Sequence, residues 1–236
     1  MKMVAILLAL NLLAALPAKA ELPTSVSVKI PSGEIVKFAL PDEMCAYPGK
    51  VRKVLQRAFE AESPKLRLLG AAGDCYAIDR WRHGFQSAPI SPTIQLAMLD
   101  SQVDPGSRMS ASRYRAYCND RFPARSKSLL SDRIRRSLQQ IDNGLTLADE
   151  RSLGILARTR HAIFGGELIW TKKGQHAMVL VNVVACFAPH DVPVLWTFSG
   201  AMDRSLPPGE IEKRLNAALI LAEDRVTATL LLNGER

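Results

Sequence analysis

Cys186 stands four residues before His190 and Asp191, a spacing that invites two chemistries. A thiol beside an imidazole becomes a nucleophile once deprotonated. Together with His176, the same residues could offer sulfur, nitrogen and oxygen ligands to a metal ion. The stretch before Cys186, Val179 to Ala185, is an apolar run of strand type, so a buried or disulfide-bonded cysteine is expected there, and His190-Asp191 reads as a solvated loop. Serine chemistry needs a nucleophile on a strained turn, a histidine within reach and an acid to orient it. No Gly-x-Ser-x-Gly occurs; Ser199-Gly200 after an apolar strand imitates such a turn, with His161, His176 or His190 as the base. The four histidines show neither His-Glu-x-x-His nor His-x-His spacing. The acidic neighbours Asp42-Glu43, Asp149-Glu150 and Glu223-Asp224 point in different directions on any regular element and make no acid and base pair by themselves. Gly165-Gly166 lacks the strand-to-helix context of a phosphate loop, because the residues on both sides read as strand. On these grounds the sequence assigns no catalytic residue, no metal ligand and no cofactor.

A basic block is more distinctive. Arg108, Arg113, Arg115, Arg121, Arg125, Lys127, Arg133, Arg135 and Arg136 face only Asp120 and Asp132 in the same stretch. That segment carries +7 of a formal net charge of +8 for the whole chain. Eight of its nine cations are arginine, whose planar fork suits phosphate and carboxylate groups, and Tyr114 and Tyr117 are interleaved with them. A charge run is often no more than a solvated face. If the block binds, its contacts are expected at Arg113, Arg115, Arg121, Arg125, Arg133, Arg135 and Arg136, and its partners would be anionic lipid, lipopolysaccharide phosphates, a cell-wall polymer or an acidic protein. Without a recognisable nucleic-acid module, aromatic interleaving does not point to nucleic acid.

The elements that must position these residues follow from periodicity. Val26, Val28 and Ile30 alternate, Pro31 to Glu34 turn, and Val36, Phe38 and Leu40 resume the same period of two, which predicts a hairpin with one buried face. Val51, Val54, Leu55, Ala58 and Phe59 predict a helix from about Lys50 to Glu62. Strands are expected at Leu66 to Ala72 and around Thr93 to Met98, with a short helix at Tyr76 to Arg82 between them. In the arginine-rich segment, about 108–142, Ser110 is placed to cap one helix reaching Phe122, and Leu129 to Ile141 mark a second. Leu153 to Arg158, Ala162 to Trp170, Ala177 to Phe187 and Val194 to Ser199 read as strands, the last three as an antiparallel meander. Pro207 and Pro208 open a closing helix with an apolar stripe of Ile211, Leu215, Leu219, Ala222, Val226 and Leu230. The order predicts an α+β fold, a mostly antiparallel sheet with helices packed over it, in one domain spanning 21–236.

The N-terminus has the make-up of a cleavable secretory leader over residues 1–20. Met1 and Lys2 give a positive start, Met3 to Leu16 an apolar run, and Pro17 a break before the small-x-small site Ala18-Lys19-Ala20. The run is too short to span a bilayer, and no later apolar run is long enough either, so the mature chain is expected to have no transmembrane segment and to be periplasmic or secreted. Loss of Lys2 and Lys19 with the leader would take the formal charge from +8 to +6. All four cysteines, Cys45, Cys75, Cys118 and Cys186, would then reach a compartment where disulfides persist. Spacing alone does not choose among their three pairings.

Leu40-Pro41-Asp42-Glu43-Met44-Cys45 after a hairpin, and Leu68-Leu69-Gly70-Ala71-Ala72-Gly73-Asp74-Cys75 followed by Trp81-Arg82, resemble a group of proteobacterial periplasmic proteins with a PsbP-like α+β shape. The resemblance covers roughly residues 25–82 and 162–232 and leaves the arginine-rich middle aside. It implies that Cys45 and Cys75 are partners, a closure of about 30 residues that would stabilise the fold by roughly 3 to 4 kcal/mol. Cys118 and Cys186 would then pair or stay free. The resemblance brings no catalytic residue or ligand, so the expected function is that of an accessory or binding protein with a basic surface; the competing expectation is an envelope hydrolase whose site is assembled from distant residues.

Overall fold

A computed structural model of the chain describes residues 25–30, 33–82, 92–99, 109–122, 129–142, 150–173, 176–203 and 205–235. The leader over 1–20, Arg108, Arg125, Lys127 and His83 lie outside the described residues.

Strands β1 (Ser25–Lys29) and β2 (Ile35–Ala39) form the predicted hairpin, with Val26 opposite Phe38 and Val28 opposite Val36 on one face. The hairpin remains a sheet of its own and does not join the large sheet. Next come β3 (Met44–Ala46), helix α1 (Gly49–Glu62), β4 (Leu66–Asp74), helix α2 (Cys75–Arg82) and β5 (Thr93–Leu99). Asp74 begins α2 by accepting a 2.7 Å hydrogen bond from the backbone N–H of Ala77, so the aspartate satisfies a first-turn donor that has no partner within the helix. Helices α3 (Ala111–Arg121) and α4 (Leu130–Asp142) follow, and the Ser110 hydroxyl accepts from the Arg113 N–H as expected for a cap. Strands β6 (Glu150–Arg158), β7 (Ala162–Lys173), β8 (His176–Phe187) and β9 (Val194–Asp203) then run as an unbroken meander before helix α5 (Pro208–Leu232).

The fold is α+β. Seven strands form one sheet in the order β3-β4-β5-β9-β8-β7-β6, and every neighbouring pair is antiparallel. The return of β9 beside β5 joins the early strands to the meander. The three-residue β3 was not foreseen, because a segment between Pro41 and Pro48 is too short to show a period; it pairs with the end of β4. Likewise β9 runs four residues past the expected Ser199, so Ser199-Gly200 lies inside a strand and forms no nucleophile turn.

Other elements pack on both faces of the sheet. Against one face pack the hairpin, α5 and α4, with Phe38, Ile94, Leu96, Phe164, Val181, Val183, Trp196 and Leu215 in a single buried cluster. The hairpin packs close over β4 here: a Cβ at Gly70 would lie in van der Waals contact with Val28, at 3.5 Å, and with Leu96, at 3.4 Å. The opposite face carries α1 and α3, with Phe59 and Leu66 beside Ala97 and Leu99, and Tyr114, Cys118 and Phe122 on Ile163, Val184 and Cys186. Strand alternation sorts the residues: Val181, Val183 and Ala185 of β8 point to the hairpin face, Asn182, Val184 and Cys186 to the other. No helix among the described residues is long and apolar enough to cross a membrane.

The outer edge of β2 is sealed by side chains of α5 and of Asn233 at its C-terminal cap. Thr229 accepts from the Ala39 N–H at 3.0 Å, Asn233 both accepts from the Lys37 N–H at 3.1 Å and donates to the Lys37 carbonyl at 2.8 Å, and Arg225 donates to the Leu40 carbonyl at 3.0 Å. A helix thus supplies the partners that another strand would otherwise give to an open edge.

Candidate functional site

Both disulfides are formed: Cys45–Cys75 joins β3 to the start of α2, and Cys118–Cys186 joins α3 to β8. Pairing removes Cys186 as a nucleophile or metal ligand, and with it the chemistry its spacing had invited. His190 and Asp191 sit in a tight turn with φ of 49° and 57°, both exposed, and the His190 N–H donates to the Glu235 carboxylate. His161 lines a small cleft of about 220 Å³ with Arg115, Asp191 and Glu235. The side chain of His176 is outside what is described. Among the described residues no three of His, Cys, Asp and Glu converge as a metal site would need.

Gly165-Gly166 is a packing device. A Cβ at Gly165 would fall 2.3 Å from the Phe122 ring, and one at Gly166 would fall 3.0 Å from Leu156 on the other face. The pair lets β7 accept a helix aromatic on one side and a β6 side chain on the other.

The arginine-rich segment is divided by the fold. Helix α3 has a buried stripe of Tyr114, Cys118 and Phe122, at i, i+4 and i+8, which turns Arg113 and Arg115 outward. Arg115 reaches the β6–β7 turn and donates to the Arg160 carbonyl at 2.6 Å, so exposed Arg158 and Arg160 join it at that end of the sheet. Arg121 instead points inward, to Glu167 on β7 at 3.3 Å. Helix α4 lies over the opposite face through Ile134 and Leu138. On it Arg133 donates to the Leu153 carbonyl of the edge strand β6, while exposed Arg135 pairs with Asp132 at 3.0 Å and Arg136 donates to the Asp132 carbonyl at 3.3 Å. The residues expected to make one basic surface therefore fall into an exposed α3 group, an exposed α4 group and two inward-turned arginines, with Arg125 outside the described residues.

Arg121 leads to a feature that sequence reasoning missed. Between the C-terminal end of α1 and the C-terminal end of α3 the sheet is left uncovered by helix, and a cleft of about 530 Å³ opens onto β5, β9, β8 and β7. Its floor mixes polar side chains with apolar ones where a sheet interior is usually apolar throughout. Glu167 of β7 lies opposite Asn182 of β8, and Asn182 opposite Ser199 of β9; in the next row Thr197 lies opposite Gln95 of β5. Phe59, Leu180 and Leu195 add apolar surface. Glu167 and Asn182 are 4% and 5% exposed, and the Asn182 Oδ1 has no hydrogen-bond partner among the described residues. The available signal was the interruption of two apolar strand runs by a single glutamate and a single asparagine, since a buried polar residue is the informative exception in such a run.

Tyr114 is buried on this same face with its hydroxyl unpartnered among the described residues, and burial, reinforced by Tyr117, holds its phenol protonated well above the usual range. Burial likewise pushes Tyr47 up to about 12. Comparison with protein-family models, with curated proteins and with solved structures finds no match to this chain.

Proposed function

We propose that this chain is an exported binding protein of the bacterial envelope that docks on an anionic, phosphate-bearing surface through the exposed arginines at the α3 end of the sheet. The observation that carries this reading is the contact of exposed Arg115 on α3 with the β6–β7 turn, where Arg158 and Arg160 are exposed as well, with Arg113 exposed on the same helix. Arg158 and Arg160 lie outside the basic block of the sequence, so the fold adds cations to one half of it. The α4 group is less suited, because Asp132 already engages Arg135 and Arg136. Two disulfides that leave no free cysteine suit an oxidising compartment, in keeping with the leader composition of residues 1–20 and with the resemblance to periplasmic proteins.

Exposed charge attraction is screened within about 10 Å at 0.1 M salt, so retention on phosphatidylglycerol vesicles should be high at low salt and fall as salt is added. The paired change Arg113→Ser with Arg115→Ser should abolish most of that retention. Arg135→Ser with Arg136→Ser should remove less. Retention that survives the α3 changes, or that does not respond to salt, would refute the reading.

A further inference from the structure

We propose that the cleft between α1 and α3 binds a neutral, polyhydroxylated small molecule of sugar size, on a surface separate from the exposed arginines and independent of their role. Asn182 is the starting point: it is 5% exposed, it lines the cleft, and its Oδ1 meets no hydrogen-bond donor among the described residues. A buried acceptor left in that condition is destabilising. On the hairpin face the same strand places Val181 and Val183, so an apolar side chain of similar reach fits the local backbone. An asparagine at this position is explained if its amide, whose Oδ1 is closed to solvent as it stands, turns toward a donor that arrives with a ligand.

The surrounding groups define the class of that ligand. Neighbouring strands lie about 4.8 Å apart, so Glu167, Asn182 and Ser199 make a polar row roughly 10 Å long across three strands. Thr197 and Gln95 make a second row about 7 Å further along the strands. Carboxylate, amide and hydroxyl groups set out in this way call for a partner with several groups that both donate and accept, which is the property of adjacent hydroxyls. Phe59, Leu180 and Leu195 supply apolar contact for the C–H faces such a molecule also presents. The charge of Arg121 is matched by Glu167 at 3.3 Å, so the cleft offers no surplus charge and favours an uncharged occupant. A volume of about 530 Å³ falls within the range of small-molecule sites.

The test is calorimetric titration of the full chain, disulfides intact, with glucose, N-acetylglucosamine and maltose, and with glucuronic acid and glucosamine as charged comparators. At least one neutral probe should bind. Asn182→Leu should weaken that binding by at least about tenfold and leave the sugar-free unfolding midpoint unchanged or higher, because an unpartnered acceptor has been removed. Thr197→Val, in the next row, should weaken it as well and serves if the first variant does not fold. Absence of binding by every neutral probe at millimolar concentration, tighter binding of a charged comparator, or unchanged affinity in both variants would each overturn the proposal. A lowered midpoint for sugar-free Asn182→Leu would also overturn it, since Asn182 would then be satisfied within the protein.

Discussion

The two faces of the seven-stranded sheet are built on different principles. The hairpin face is filled: hairpin, α4 and α5 cover it, its cluster is apolar from Val28 to Leu230, and the outer edge of β2 is closed by Thr229, Asn233 and Arg225. The α1–α3 face is covered only in part. It is braced by both disulfides, and between its helices it keeps Glu167, Asn182, Thr197 and Gln95 on a floor that mixes polar and apolar side chains. Apolar burial, at roughly 25 cal/mol per Å², is thus concentrated where the chain is sealed, and the face with less of it is held by covalent bonds and keeps the groups that could meet something else. In one sheet, strand alternation separates a sealed apolar layer from one that keeps polar side chains.

The largest effect that would break this comparison comes from the filled face. Phe38→Ala, at a fully buried position of the hairpin, should cost about 4 kcal/mol in urea unfolding, whereas Thr197→Val on the cleft floor should change stability little. Equal losses would mean that the faces do not differ. Next in size, Gly165→Ala should cost about 2 kcal/mol, since its Cβ would overlap the Phe122 ring and α3 cannot move away from its Cys118–Cys186 bond. Gly200→Ala, whose nearest neighbour would be Phe198 at 3.7 Å, is the control in the same sheet and should cost much less.

The smallest effect has the opposite sign. Tyr114→Phe removes a buried, unpartnered hydroxyl and should stabilise the fold by about 1 kcal/mol. The same residue predicts an alkaline limit. Its folded pKa is raised, so the unfolded chain releases the proton near pH 10 while the folded chain keeps it. Stability should therefore be level in this respect below pH 10 and fall above it, with Tyr47 adding to the decline until about pH 12. Urea midpoints measured from pH 8 to 11 should fall less steeply in Tyr114→Phe than in the parent.

Much of the filled face was legible in the sequence, because period two in β1 and β2 and period 3.6 in α5 each report burial against one layer. Leu219, read as part of the α5 stripe, is only half-buried, and Ala218 takes the inner position beside it. The other face was harder to read for a physical reason. Periodicity shows that α3 and α4 each have an apolar stripe, but not which side of the sheet each will cover, so arginines adjacent in sequence were read as one surface. The Cys45–Cys75 bond came from the resemblance, and Cys118–Cys186 was left open because spacing does not fix a pairing across 68 residues. The cleft floor depends on strand order. Gln95, Asn182 and Thr197 become neighbours only because β9 returns to lie between β5 and β8.

The bonds that join α5 and its end to the β2 segment connect residues 185 to 196 positions apart, so closing that edge needs two distant parts of the chain together. Until α5 has folded, the outer backbone groups of β2 lack these partners and the apolar side of the hairpin lacks the helix that packs against it. The earliest part of the chain thus becomes permanent only when the latest part arrives. Shortening the polypeptide by its final dozen residues would remove Asn233, Thr229 and Arg225 together and leave its beginning, rather than its end, unfinished.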